Sequence, residues 1–167
     1  MRTAVAGRAW DLITSSPLRR CATFAEALAV EIGVPCRLEM DLREMSFGAW
    51  EGHSAAELMQ SDAERLRLFW SDPSVHTPPG GESLAELHAR VMAVWQRLLN
   101  LSDSRRMLIV THSDPIRVLK AVQAQTPLSA LLSIEIPHAA LISMEWPHHG
   151  MAADSGAARS LPSAEHR

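Results

Sequence analysis

An arginine and a histidine, the pair of side chains best suited to hold a phosphoryl dianion and polarise it, stand at two matching places in this chain. His112 closes the run Met107-Leu-Ile-Val-Thr-His-Ser-Asp-Pro-Ile-Arg117, and Arg20 closes Asp11-Leu-Ile-Thr-Ser-Ser-Pro-Leu-Arg-Arg20. In both, a short apolar run is followed by hydroxyl residues, a proline and an amphipathic segment. Such a passage is a strand turning into a helix, and the free amides of a helix's first turn attract anions. If the two strands are parallel neighbours, Arg20 and His112 face one crevice, and in open α/β sheets ligands bind outside the carboxyl ends of the strands.

The elements that must position these residues are legible in part. Met107–Val110 is apolar and rich in β-branched residues, as a strand covered on both faces must be. Asp114 and Pro115 read as N-cap and first helical residue of a helix through Ile116, Val118, Leu119 and Val122. Cys21 to Ile32 carries Phe24, Leu28 and Ile32 at spacing four and closes on Gly33, which predicts a helix with a glycine C-cap. Arg37 to Leu42 reads as a strand, and Ala55 to Trp70 as a polar, helical, lid-like insertion over the crevice. Ser71 to Gly81, with its Asp-Pro, Pro-Pro and Gly-Gly steps, is a loop. Ser83 and Glu86 form a capping box ahead of Leu84, Leu87, Val91, Trp95 and Leu98, the clearest helix in the chain. Ala140 to Trp146 reads as a last strand, and residues 147–167, rich in Ala, Gly, Ser, Pro and His, as a disordered tail.

At 167 residues and 47% hydrophobic, the chain suffices for one domain and one core, placed at residues 1–146. The net charge is −3 with scattered basic residues, which argues against a nucleic-acid partner. No stretch is long and apolar enough to imply a membrane. Cys21 and Cys36 lack metal-type spacing, so reduced, buried thiols in a cytoplasmic protein are expected. A homodimer is left open.

Four segments, in order, resemble the histidine phosphatase, or phosphoglycerate mutase-like, superfamily. They are Ser15-Ser-Pro-Leu-Arg-Arg20, Leu42-Arg-Glu-Met-Ser-Phe-Gly-Ala-Trp-Glu-Gly52, Pro79-Gly-Gly-Glu-Ser83 and Thr111-His-Ser113. The resemblance implies an α/β fold of three α/β/α layers around a mostly parallel sheet, and a phosphomonoesterase acting on a small phosphorylated metabolite through a phosphohistidine. It needs no cofactor and no metal. It implies that Arg20, His112 and Ser113 bind phosphate, that His112 also stabilises the transferring group, and that Glu44 is the proton donor. Glu82 is a possible substrate contact. Residue pattern alone leaves open the alternative that Glu44 is a loop carboxylate paired with Arg43 or Arg37, and does not separate Arg20 from Arg19. Glu51 is expected to hold the loop around Gly48 and Gly52. His53 reads as a solvated loop histidine and His88 as a packing residue, while His138, before the last strand, is expected to approach the crevice without a catalytic role. The likeness extends to the α-ribazole phosphatases of cobalamin assembly through Leu42–Glu51 and Leu58–Glu64.

One departure bears on the chemistry. The family's nucleophile is the histidine of an Arg-His-Gly step at the end of its first strand, and none of the eight histidines here lies in such a step. The expectation is therefore a domain in which that central strand and its nucleophile are missing, an inactive phosphate-binding remnant in the alternative reading. Mutase or broad sugar-phosphate phosphatase activity shares the same frame.

Overall fold

The computed structural model describes residues 5, 7–101 and 106–144. The proposed tail and the end of the expected last strand, 145–167, lie outside them. The sheet has three strands, all parallel, in the order β2 (Cys36–Leu38), β1 (Leu12–Ser15), β3 (Met107–Val110). β1 is central. Thr14 sits beside Arg37 on one side and Ile109 on the other, so the carboxyl ends of β1 and β3 lie next to each other.

Helices cover both faces, giving the three layers the apolar runs require. On one face α1 (Arg19–Ile32) packs Cys21, Ala25, Leu28 and Ala29 against Ile13, Leu108 and Val110. It ends where expected, on Gly33 at φ +70°, a conformation that costs a residue with a Cβ. On the other face lie α4 (Leu84–Asn100) and α5 (Ser113–Gln123). Leu87, Val91, Trp95, Val118 and Leu119 share one core there with Ile109 against it. The Ser83–Glu86 capping box forms, with the Ser83 hydroxyl accepting from the Glu86 amide at 3.2 Å and the Ser83 amide donating to the Glu86 carboxylate at 2.8 Å.

Four sequence expectations change. The strand predicted over Arg37–Leu42 is only Cys36–Leu38, because the chain turns into a 3-10 turn at Met40–Leu42. The single helix of 55–70 is two, α2 (Ala55–Ser61) and α3 (Ala63–Ser71), broken at Asp62. There the Trp50 indole donates to the Asp62 carboxylate at 3.0 Å, which pins the break to the loop before it. Residues 140–144 form no strand. They and β3 both line a cavity of about 950 Å3, and a strand without an adjacent ladder has nowhere to place its amides. Of the thiols, both free, Cys21 is buried but Cys36 only half-buried.

Candidate functional site

The β1–α1 junction and the β3–α5 junction meet side by side. The imidazole of His112, 7% exposed, receives the Arg20 Nε–H on Nδ1 at 3.0 Å. Nδ1 is thereby the acceptor, so Nε2 carries the proton and donates to the Ser16 hydroxyl at 2.8 Å. The Ser16 oxygen also accepts the Leu18 amide at 3.2 Å, stiffening the bend between β1 and α1. Cys21 lies against the same ring, its sulfur 3.5 Å from Nε2. Burial, followed by the charges of Arg20 and Arg90, lowers the His112 pKa from 6.5 to about 4. The ring is neutral at pH 7, a donor through Nε2 and not a cation.

α5 begins two residues earlier than Asp114-Pro115 suggested. His112 itself occupies the N-cap position with extended backbone, and Ser113 is the first helical residue. Pro115 is tolerated at the third position, whose amide would have lacked an intrahelical partner in any case. Asp114 does not cap the helix. Its carboxylate turns to Arg117 at 2.6 Å, and Arg117 donates to the Ile134 carbonyl at 2.9 Å. The first junction shifts the opposite way: α1 starts after Leu18, two residues later than a Ser16 cap would give, leaving Pro17 in the bend.

The amide Asp114 leaves free is taken by Glu44. One Glu44 carboxylate oxygen accepts the Asp114 N–H at 3.1 Å and the Met45 N–H at 3.3 Å. Glu44 thus faces the helix terminus that carries His112, and not Arg43 or Arg37. Burial, reinforced by the Asp114 charge and opposed by these two amides and by Arg20, raises its pKa from 4.5 to about 7. A carboxyl that holds its proton near neutrality can both give and take it there.

The Glu44 loop is built against the Pro79–Ser83 segment. Ala49 donates to the Pro79 carbonyl and Glu82 to the Ser46 carbonyl, each at 2.8 Å. Gly48, at φ +54°, would drive any Cβ into the Pro79–Gly81 backbone. Glu51 bonds the Phe47 amide at 2.8 Å and so braces this loop. Glu82 turns inward to Arg90, with Nε–Oε1 2.5 Å and Nη2–Oε2 2.7 Å. Sequence reasoning passed over Arg90. The legible signal was a charge three residues after Leu87 and four before Val94, on the apolar face of α4.

His53 and His138 are exposed, and His88 is half-buried on α4. Among the described residues no group of three or more His, Cys, Asp or Glu is placed to hold a metal ion, and no helix is long and apolar enough to cross a membrane.

Residues 1–157 match the family model "Histidine phosphatase superfamily (branch 1)". A bifunctional protein of Mycobacterium tuberculosis is 39% identical over 111 residues, 64% of this chain and 29% of that protein. The adenosylcobalamin/alpha-ribazole phosphatase of Escherichia coli is 28% identical over 131 residues, 78% of this chain and 64% of the enzyme. Among solved structures, the alpha-ribazole phosphatase from Shigella flexneri superposes with a TM-score of 0.71 at 26% identity, over 81% of this chain and 67% of that one. The chain therefore spans less than two thirds of the length of these two curated relatives.

Proposed function

Since the chain belongs to the histidine phosphatase superfamily, branch 1, and has its phosphoglycerate mutase-like fold, we propose that its site handles the phosphoryl group of a small phosphorylated metabolite. In this reading Arg20 pairs with two phosphoryl oxygens, and a third takes the place of the Ser16 hydroxyl as acceptor of the His112 Nε2–H. The Ser113 amide, first in α5, adds a dipole aimed at the same charge. Glu44 supplies the proton to the departing alkoxide. The observation that carries the reading is the Glu44 carboxyl: it sits on the helix terminus behind His112 with a pKa of about 7, where a surface glutamate would be fully ionised. α-Ribazole 5′-phosphate is the leading ligand, on the likeness to the phosphatases of Escherichia coli and Shigella flexneri. Displacement of bound inorganic phosphate by α-ribazole 5′-phosphate, but not by a glycolytic phosphoglycerate or a simple sugar phosphate, tests that choice; the reverse order of potency rejects it.

A second reading concerns turnover. The family's route passes the phosphoryl group to a histidine nitrogen, with loss of the alkoxide, and then to water. In this chain the lone pair of His112 is on Nδ1 and is occupied by the Arg20 Nε–H, which suits a donor and not an attacking group. No Arg-His-Gly step supplies another. We therefore read the 167-residue chain as a phosphate binder of phosphatase lineage that does not complete hydrolysis by itself.

A further inference from the structure

We propose that Arg90 is the positioning residue of the site, holding the Glu44 loop so that the Glu44 carboxyl meets the Asp114 amide. The inference rests on the reading of Glu44 as the proton carrier. A guanidinium has five N–H groups, and all five of Arg90 are engaged. Nη1 donates to the Asp41 carbonyl at 2.7 Å and the Arg43 carbonyl at 2.8 Å, and Nη2 to the Glu44 carbonyl at 3.1 Å. The other two N–H groups fork onto the Glu82 carboxylate. Glu82 in turn accepts the Ser46 amide at 3.3 Å. One side chain, only 14% exposed, therefore gathers backbone carbonyls at 41, 43 and 44 and, through Glu82, an amide at 46.

After the 3-10 turn at Met40–Leu42 the chain has no regular structure until Gly48. Its carbonyls have no ladder, and a half-buried loop with unpaired carbonyls does not hold one shape. Arg90 supplies the missing donors from α4, a helix fixed by its capping box and by Leu87, Val91 and Val94. The Glu44 backbone is gripped at its own carbonyl, one residue from the amide of Met45 that its carboxyl accepts. Lysine offers three donors from one point and cannot make this fork. The charged or titratable groups facing Glu44 come from two other elements: Asp114 on α5, and Arg20 and Cys21 on α1. None of them holds the loop.

The test follows the Glu44 carboxyl directly by carbon-13 NMR titration of the full chain, with Glu44→Gln assigning the signal. In the unaltered protein it titrates near pH 7. In Arg90→Ala and Arg90→Lys the midpoint falls toward about 4.3, the ordinary glutamate value, as the loop opens to water. Added guanidinium restores it in Arg90→Ala, whereas a lysine gives no rescue. Glu82→Gln, which keeps the three carbonyl bonds, shows a smaller fall, and it serves as the readout if either Arg90 variant fails to melt cooperatively. A midpoint unmoved in a folded Arg90 variant, or in Glu82→Gln where the Arg90 variants do not fold, overturns the positioning role while leaving Glu44 its proposed function. A midpoint already near 4.3 in the unaltered protein overturns the Glu44 reading itself, and this inference with it.

Discussion

The Arg20 guanidinium and the His112 imidazole form a hydrogen bond of 3.0 Å with the arginine as donor, and its direction decides the chemistry open to the histidine. An imidazole whose Nδ1 is already accepting has only Nε2–H to offer. It meets an incoming anion as a donor by exchanging the Ser16 hydroxyl for an anion oxygen, and burial together with the positive charge beside it disfavours a second proton. The two residues come from junctions 92 positions apart and are joined only because β1 and β3 are neighbours.

Arg20→Ala is expected to weaken binding of inorganic phosphate or vanadate about 10- to 100-fold, the loss of a charge-assisted contact. Arg19→Ala, on the adjacent exposed position, should change it less than about threefold. Calorimetric titration of both variants checks this, and equal losses would mean that the anion is held elsewhere.

The 167-residue chain is expected to hydrolyse a general phosphomonoester no faster than background. Loss of a covalent nucleophile removes several powers of ten in rate, on the order of 10⁶ for a protease triad. The check is an assay with a chromogenic ester alongside a search for acid-labile phosphohistidine. Turnover that disappears in His112→Ala would identify His112 as the attacking group and reject its assignment as a donor.

Stability should depend on pH through two opposed terms. The fold prefers neutral Glu44, with its pKa raised from 4.5 to about 7, so that contribution is complete below pH 4.5 and is lost as pH rises through 7. It also prefers neutral His112, lowered from 6.5 to about 4, so that contribution is present above pH 6.5 and is lost as pH falls through 4. Between about pH 4.5 and 6.5 the two slopes oppose each other. Glu44→Gln removes the first, and the variant should be more stable than the parent at pH 8 by on the order of 1 to 3 kcal/mol. Thermal melts at pH 5 and pH 8 decide it; an equal Tm for the two proteins at pH 8 would contradict the buried, protonated carboxyl.

Gly48→Ala should destabilise the fold by about 2 kcal/mol or more, because the new methyl needs a left-handed backbone and meets the Pro79–Gly81 chain. Gly33→Ala, equally left-handed but with open space around it, is the control and should cost about 1 kcal/mol. Denaturant melts compare them. Equal costs would show that the contact between the two loops is dispensable.

Local features of this protein were set by the sequence itself. Hydrophobic period and punctuation placed α1 with its Gly33 stop, α4 with its Ser83–Glu86 box, and the strand-to-helix passages that carry Arg20 and His112, since caps and buried strands depend on neighbours a few residues away. The pairing of Arg20 with His112 depends on which strand lies beside β1. So does the capping of α5 by Glu44, 70 residues upstream, in place of Asp114. Arg90 reads as an oddity on an apolar helix face until the fold brings five acceptors around it. The apolar pattern of 140–144 looked like a strand, yet a strand exists only where another chain segment offers a ladder, and here a cavity lies alongside. Tertiary structure decided these matters because each is a hydrogen bond or a vacancy between distant segments, and the pKa values of Glu44 and His112 follow from the burial those segments create.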